Sequence, residues 1–227
     1  MTSSPLPSPR DNRFFDISPV ISSATPVWPG DTQPSREILQ DISRGDGITL
    51  STLHTTVHVG AHVDAPSHFH SAGVTADQLS LTPYLGICQV VHARATENGL
   101  ITQDSLSGPV TASRLLIATG ALPDPAVWRD DFPGIDPALI GNFARTGGIL
   151  LGVDLPSVDP ANSRDLPAHQ ACFNGRIAIL EGIDLRNVPD GHYELIALPL
   201  PLKGFDASPV RAVLRQLDVG SATSLRG

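Results

Sequence analysis

Apolar positions along the chain fall in short runs divided by breakers. Runs rich in Val, Ile, Leu and Thr predict strands over 14–17, 48–59, 87–92, 114–119, 149–153, 176–180 and 194–199. Helices are fewer. Asp136-Pro137, followed by residues 138–145 and Gly147, reads as a cap, a proline in the first turn and a glycine stop. Asp165-Leu166-Pro167 leading to Gly175 repeats that grammar in a shorter form. Segment 208–215 is ambiguous, because Ser208-Pro209 can open a helix while Val210, Ala212 and Leu214 alternate as in a strand. With 20 Gly and 21 Pro among 227 residues, the elements should be short. No repeat and no shift in composition divides the chain. The expectation is one domain over 13–215, a strand-rich α/β (α+β) class with few helices packed on the sheet. A lead-in over 1–12 and a flexible tail over 216–227 flank it.

Composition narrows the function classes. Hydrophobic residues at 41% and charged residues at 17% describe a globular chain. The net charge of −8, with acids spread throughout, argues against a nucleic-acid surface, which needs clustered Lys and Arg. The longest apolar runs fall far short of the roughly 20 residues a membrane helix needs, so no membrane partner is expected. Two cysteines, Cys88 and Cys172, are too few for a disulfide framework and read as core thiols in a reducing cytosol. The lead-in has three prolines and no apolar stretch, so it reads as no secretory signal, and a cytoplasmic location is expected.

Histidine is the informative residue. Five of the eight, His54, His58, His62, His68 and His70, fall within seventeen positions, in and around the run His58-Val-Gly-Ala-His62-Val-Asp64-Ala-Pro-Ser-His68-Phe-His70. Imidazole and carboxylate are the ligands a borderline divalent ion such as zinc prefers. β-branched residues, Gly60 and Pro66 resist a helix here. Strand periodicity puts His58, Gly60, His62 and Asp64 on one face, yet a straight strand would hold His58 and His62 about 13 Å apart. The spacing therefore predicts that a strand ends near Gly60 and that the chain folds back, returning His62 and Asp64 to His58 from a loop. The alternative, a solvated polar edge, would leave three histidines and an aspartate without partners among valines and alanines, which is costly. His54 and His70 read as bystanders or supporting groups. His169 lies on the second short helix, and Glu181 follows four apolar residues, where it either joins a buried site or reaches water. His92 and His192 carry no assignment.

These residues resemble the cyclase-type metal-dependent hydrolase family, whose signature run is present from His58 to Phe69, with Ala61 where many members have threonine. Further stretches resemble its kynurenine formamidase (arylformamidase) branch. They are Asp16-Ile-Ser-Pro19, Pro26-Val-Trp-Pro-Gly-Asp31, Gly152-Val-Asp-Leu-Pro-Ser-Val-Asp-Pro160, Ala178-Ile-Leu-Glu-Gly182, Tyr193-Glu-Leu-Ile-Ala-Leu-Pro199 and Asp206-Ala-Ser-Pro-Val-Arg-Ala-Val-Leu214. The resemblance implies a swivelling β/β/α domain, a homodimer and two Zn²⁺ per subunit, with other divalent ions such as Mn²⁺ as substitutes. His58, His62 and Asp64 would hold one ion, His169 would join the second, and Asp64 and Glu181 would contact both. His68 would move protons and Trp28 would line the pocket against an aromatic ring. Without the resemblance, Trp28 reads equally well as core packing. The implied reaction is hydrolysis of a small aromatic formamide, N-formyl-L-kynurenine, to L-kynurenine and formate by metal-activated water. Two other readings stay open: a related hydrolase of a cyclic amide such as isatin, and a metal-binding protein without turnover. No Gly-x-Ser-x-Gly nucleophile elbow competes with a metal mechanism.

Overall fold

The computed structural model describes residues 14–124 and 126–217. The lead-in over 1–12 and the tail from 218 onward lie outside the described residues. The strands are β1 (Phe14–Asp16), β2 (Ser35–Gln40), β3 (Leu50–His54), β4 (His62–Asp64), β5 (Leu85–His92), β6 (Leu100–Ile101) and β7 (Arg114–Ala118). There follow β8 (Gly134–Ile135), β9 (Leu150–Val153), β10 (Ala178–Glu181), β11 (Gly191–Ile196), β12 (Ala207–Pro209) and β13 (Val213–Gln216). The helices are α1 (Pro137–Arg145) and α2 (Pro167–Gly175). The strand-rich mixed class expected from the sequence is the observed one.

One curled nine-stranded sheet runs in the order β1-β13-β11-β5-β7-β9-β10-β4-β12. Its centre, β5-β7-β9-β10, is parallel, and antiparallel strands flank it on both sides. Parallel strands are buried on both faces, and every residue of β7 and β9 is buried. Alternation sends Leu115, Ile117, Leu151, Val153 and Ile179 to the face covered by α1 and α2, where Leu139, Ile140, Phe143, Ala168 and Cys172 meet them. Leu116, Ala118, Leu150 and Leu180 point the other way, into a second core with Val63, Tyr84 and Leu195. Cys88 and Cys172 are buried free thiols, as expected of core residues.

α1 follows its sequence grammar. The Asp136 carboxylate accepts the Ala138 N–H at 2.8 Å, and Gly147 takes a left-handed conformation past the helix end. α2 does not. Asp165 caps nothing; Leu166 takes a left-handed turn (φ 46°) and the free N–H groups of Ala168 and His169 are accepted by Asp159, at 2.9 and 3.0 Å. A cap supplied from eight residues upstream of the helix has no local sequence signature.

Three further expectations change. Only Leu50–His54 of the strand expected over 48–59 is a strand, and it pairs with β2 in a separate two-stranded hairpin. Segment 208–215 resolves as strands, with β13 running to Gln216, one residue past the expected domain boundary. Finally, β4 occupies the place where a loop was expected, because β10 and β12 pair with it from both sides.

Candidate metal centre

Strand register builds the site. His62 lies opposite Glu181 across the β4–β10 pair, and Asp64 opposite Ala207 across β4–β12. Residues two apart on a strand share a face, so His62 and Asp64 point one way and Val63 the other. Opposed residues hold their Cβ atoms about 4.5–5.5 Å apart, which brings Glu181 beside His62. α2 packs over this face and lowers His169 onto it. His58 arrives from the irregular chain between β3 and β4, where Gly60 turns with φ +56°. The chain does fold back at Gly60, but with the roles exchanged: His58 is on the loop, and His62 and Asp64 are on the strand.

His62, Asp64, His169 and Glu181 are each 3–4% exposed. Glu181 therefore does not reach water from its strand end. Asp64 divides its oxygens: Oδ1 is 3.2 Å from His58 Nδ1 and 3.7 Å from His62 Nε2, and Oδ2 is 3.3 Å from His169 Nε2. Glu181 does the same, with Oε2 3.4 Å from His62 Nε2 and Oε1 3.8 Å from His169 Nε2. Despite this crowding, both Asp64 oxygens and His62 Nε2 have no hydrogen-bond partner. Such orphaned groups cost roughly 1–3 kcal/mol each in a closed interior, and a cation among them removes the cost.

The outer nitrogens are all engaged. His62 Nδ1 donates to the Gly60 carbonyl at 2.9 Å, His169 Nδ1 to Asp159 Oδ2 at 2.6 Å, and His58 Nε2 to Asp206 Oδ2 at 3.1 Å. Each imidazole, once neutral, therefore turns an unprotonated nitrogen toward the carboxylates, the arrangement that metal-ligating histidines adopt. Asp159 and Asp206 escaped sequence reasoning because each acts through another ring and neither belongs to the histidine run. Donor atoms of His62, Asp64 and Glu181 lie within 4.8 Å of one another, as do those of His58, Asp64 and His68. The residues fit one or more divalent ions.

A second close approach shapes the centre. Gly182, just past β10, lies against Gly60, so that a Cβ at 182 would come within 2.2 Å of the Gly60 carbonyl oxygen, the acceptor for His62. Elsewhere, His54 pairs with Glu37 on the exposed hairpin and His70 stacks on Phe173 at 3.8 Å. Both are bystanders. His92 bonds Asp190 and His192 bonds Thr111, away from the centre.

Charge in the metal-free cluster is set by competition. Burial alone would lower His58 and His169, but Asp64 and Asp206 raise His58 to about 9, and Asp159 and Asp64 raise His169 to about 10. Burial would raise Asp64, yet the surrounding imidazoles hold it well below the ordinary carboxylate range. A raised histidine stabilises the fold fully below its unfolded value of about 6.5 and ceases to do so as pH climbs through its folded value. The metal-free protein is therefore expected to lose thermal stability between about pH 6.5 and pH 10. Added Zn²⁺ should remove that decline, since it takes the place of the protons. Melting curves with and without metal check this; a flat metal-free profile across the window would contradict the protonated cluster.

Beside the cluster opens a cavity of about 480 Å³ lined by His58, His62, His68, His169 and Glu181 and by Trp28 and Trp128. It sits beyond the C-terminal ends of β9 and β10, the usual place for a ligand in a parallel sheet. Trp28 is 39% exposed, which excludes simple core packing. It meets Trp128 edge-on at 5.3 Å and Phe132 at 6.4 Å. Trp128, the chain's other tryptophan, had no signal in the sequence beyond its type. His68 sits on the single turn Pro66–His68 at the cavity's edge, more exposed than the buried four, with Nδ1 donating to Asp206 Oδ2 at 3.1 Å.

Known proteins share this fold. The Cyclase family model matches residues 15–160. Among solved structures, a potential metal-dependent hydrolase with cyclase activity is 25% identical, over 90% of this chain and 98% of its own, with a TM-score of 0.76. A predicted metal-dependent hydrolase from Bacillus stearothermophilus is 26% identical, over 88% and 97%, with a TM-score of 0.74. Isatin hydrolase A from Labrenzia aggregata shares the fold at 20% identity, over 91% and 94%, with a TM-score of 0.73. Matched over most of its length, the chain belongs to the Cyclase family.

Proposed function

We propose that this protein is a metal-dependent hydrolase that cleaves the formamide of N-formyl-L-kynurenine to L-kynurenine and formate. The observation that carries the reading is the cluster of three imidazoles and two carboxylates, four of the five buried, beside a cavity that two tryptophans also line. Two Zn²⁺ fit the way Asp64 and Glu181 each turn one oxygen toward a different histidine. His58, His62 and Asp64 would hold one ion, His169 the other, with Asp64 and Glu181 touching both. When bound, such ions supply Lewis acidity to a carbonyl oxygen and lower the pKa of water.

The chain's own side chains account for the remaining steps. Trp28 and Trp128 take the aryl ring and set the formyl carbon over the cluster. Water adds to that carbon, the C–N bond breaks, and the leaving aniline nitrogen needs a proton. His68, at the cavity's edge, carries it. The same reading includes a homodimer, supported by the hairpin β2–β3, which leaves Ile38, Leu39, Ile42, Ile48, Leu50 and Leu53 exposed. An isolated hairpin is marginal in water and gains from a partner. No helix among the described residues is long and apolar enough to cross a membrane.

Purified protein assayed side by side on N-formyl-L-kynurenine and isatin, before and after chelation and with Zn²⁺ restored, tests the reading. Metal-dependent turnover of the formamide is expected; preference for isatin would move the assignment to cyclic amides, and no turnover would leave a metal-binding protein. Trp28→Ala should raise KM for formylkynurenine about tenfold, the loss of one aromatic contact, with a smaller effect on a simple formanilide. Equal losses on both substrates would remove Trp28 from ring recognition.

A further inference from the structure

Asp206 immediately precedes β12, next to Ala207, which pairs with Asp64. Its carbonyl accepts the Ala65 N–H at 2.8 Å, which fastens it to the turn carrying His68. Its Oδ2 stands 3.1 Å from His58 Nε2 and 3.1 Å from His68 Nδ1. An ionised carboxylate only accepts, so both ring nitrogens donate to the one oxygen. The two rings are held side by side, with centroids 4.2 Å apart. The proton that His68 keeps is thereby placed on Nδ1. Nε2 is the nitrogen left to exchange protons in the cavity that this ring lines.

We propose that Asp206 is a positioning residue for the hydrolysis, acting through His68: it fixes the Nδ1–H tautomer and the ring orientation, leaving Nε2 to serve the leaving group. The proposal rests on the reading of His68 as proton carrier and adds to it the group that makes the carrier competent. A carboxylate bonded to the far nitrogen of a catalytic imidazole has that effect wherever the pair occurs, because the wrong tautomer presents a hydrogen where a lone pair is needed.

The test uses the metal-loaded protein as Asp206→Asn, Asp206→Glu, His68→Ala and the Asp206→Asn/His68→Ala double variant, with metal content measured for each. Asp206→Asn should lower kcat on N-formyl-L-kynurenine about 10²-fold with KM within about threefold. Asp206→Glu should recover part of the loss. In the His68→Ala background, compared at equal metal content because Asp206 also holds His58, Asp206→Asn should cost nothing further, since the group it acts through in the reaction is gone. Long-range ¹H–¹⁵N spectra of ¹⁵N-histidine protein should show His68 protonated at Nδ1, and mixed or reversed in Asp206→Asn. Wild-type kcat in Asp206→Asn, multiplying losses in the double variant, an unchanged tautomer, or loss of metal as the cause of the defect would each overturn the proposal. If His68→Ala itself turns over normally, the proton-carrier reading fails. The tautomer spectra need no substrate, so they decide the hold of Asp206 on the ring independently.

Discussion

Asp64→Asn is expected to empty the metal centre and to lower turnover by at least about 10³-fold, since several kcal/mol of transition-state stabilisation depend on the ions. The side chain is buried, ionised, and the only one among the described residues whose two oxygens approach three imidazoles, at 3.2, 3.7 and 3.3 Å. Asparagine keeps the shape and removes the charge. One of its two positions becomes an NH₂, which cannot ligate and which repels the cation that either neighbouring pair of donors would gather. On the two-ion proposal, metal content after dialysis should therefore fall for both ions together. Loss of one ion with the other retained would show that the aspartate serves a single position.

The second large effect is at His68. His68→Ala should retain a full complement of metal and lose roughly 10²–10⁴-fold in kcat, the range for a positioned acid–base group. The retention is the sharper half of the expectation. His68 comes within 4.8 Å of donor atoms on His58 and Asp64, close enough to be taken for a ligand. Its partner, however, is Asp206, and its side chain is exposed where His62, Asp64, His169 and Glu181 are buried. Metal content below wild type would make it a ligand; wild-type turnover at full loading would remove it from the chemistry.

Much of the centre was legible along the chain because the family signature compresses four of its residues, His58, His62, Asp64 and His68, into eleven positions. Glu181 and His169 were legible only through resemblance. Singly, a glutamate after an apolar run and a histidine on a short helix are unremarkable. What could not be read was which part of the run is a strand. Residues 55–59 are rich in β-branched side chains, while His62–Asp64 carries two ionisable groups, so local preference points to the wrong half. Pairing with β10 and β12 decides otherwise, and those partners lie more than a hundred residues away. Asp159 and Asp206 were hidden for a related reason. Their effect is on the tautomer of another residue's ring, and no spacing rule records that. The hairpin β2–β3 was half seen, as β3 inside a longer strand, because the mostly polar sequence of β2 resembles a loop.

The contact between Gly182 and Gly60 makes the centre vulnerable to a wedge far smaller than a ligand. One methyl group at position 182 has no room beside the Gly60 oxygen, and the left-handed backbone there (φ +64°) disfavours it further. The strand end and the loop would part, the oxygen would swing away, and the His62 imidazole would be free to spin to either face. Gly182→Ala should thus bleed metal from a protein that still folds, whereas Gly141→Ala in α1, whose added methyl meets nothing closer than 3.8 Å, should not. Dialysis followed by metal analysis distinguishes them, and equal retention would mean that the loop yields without disturbing His62.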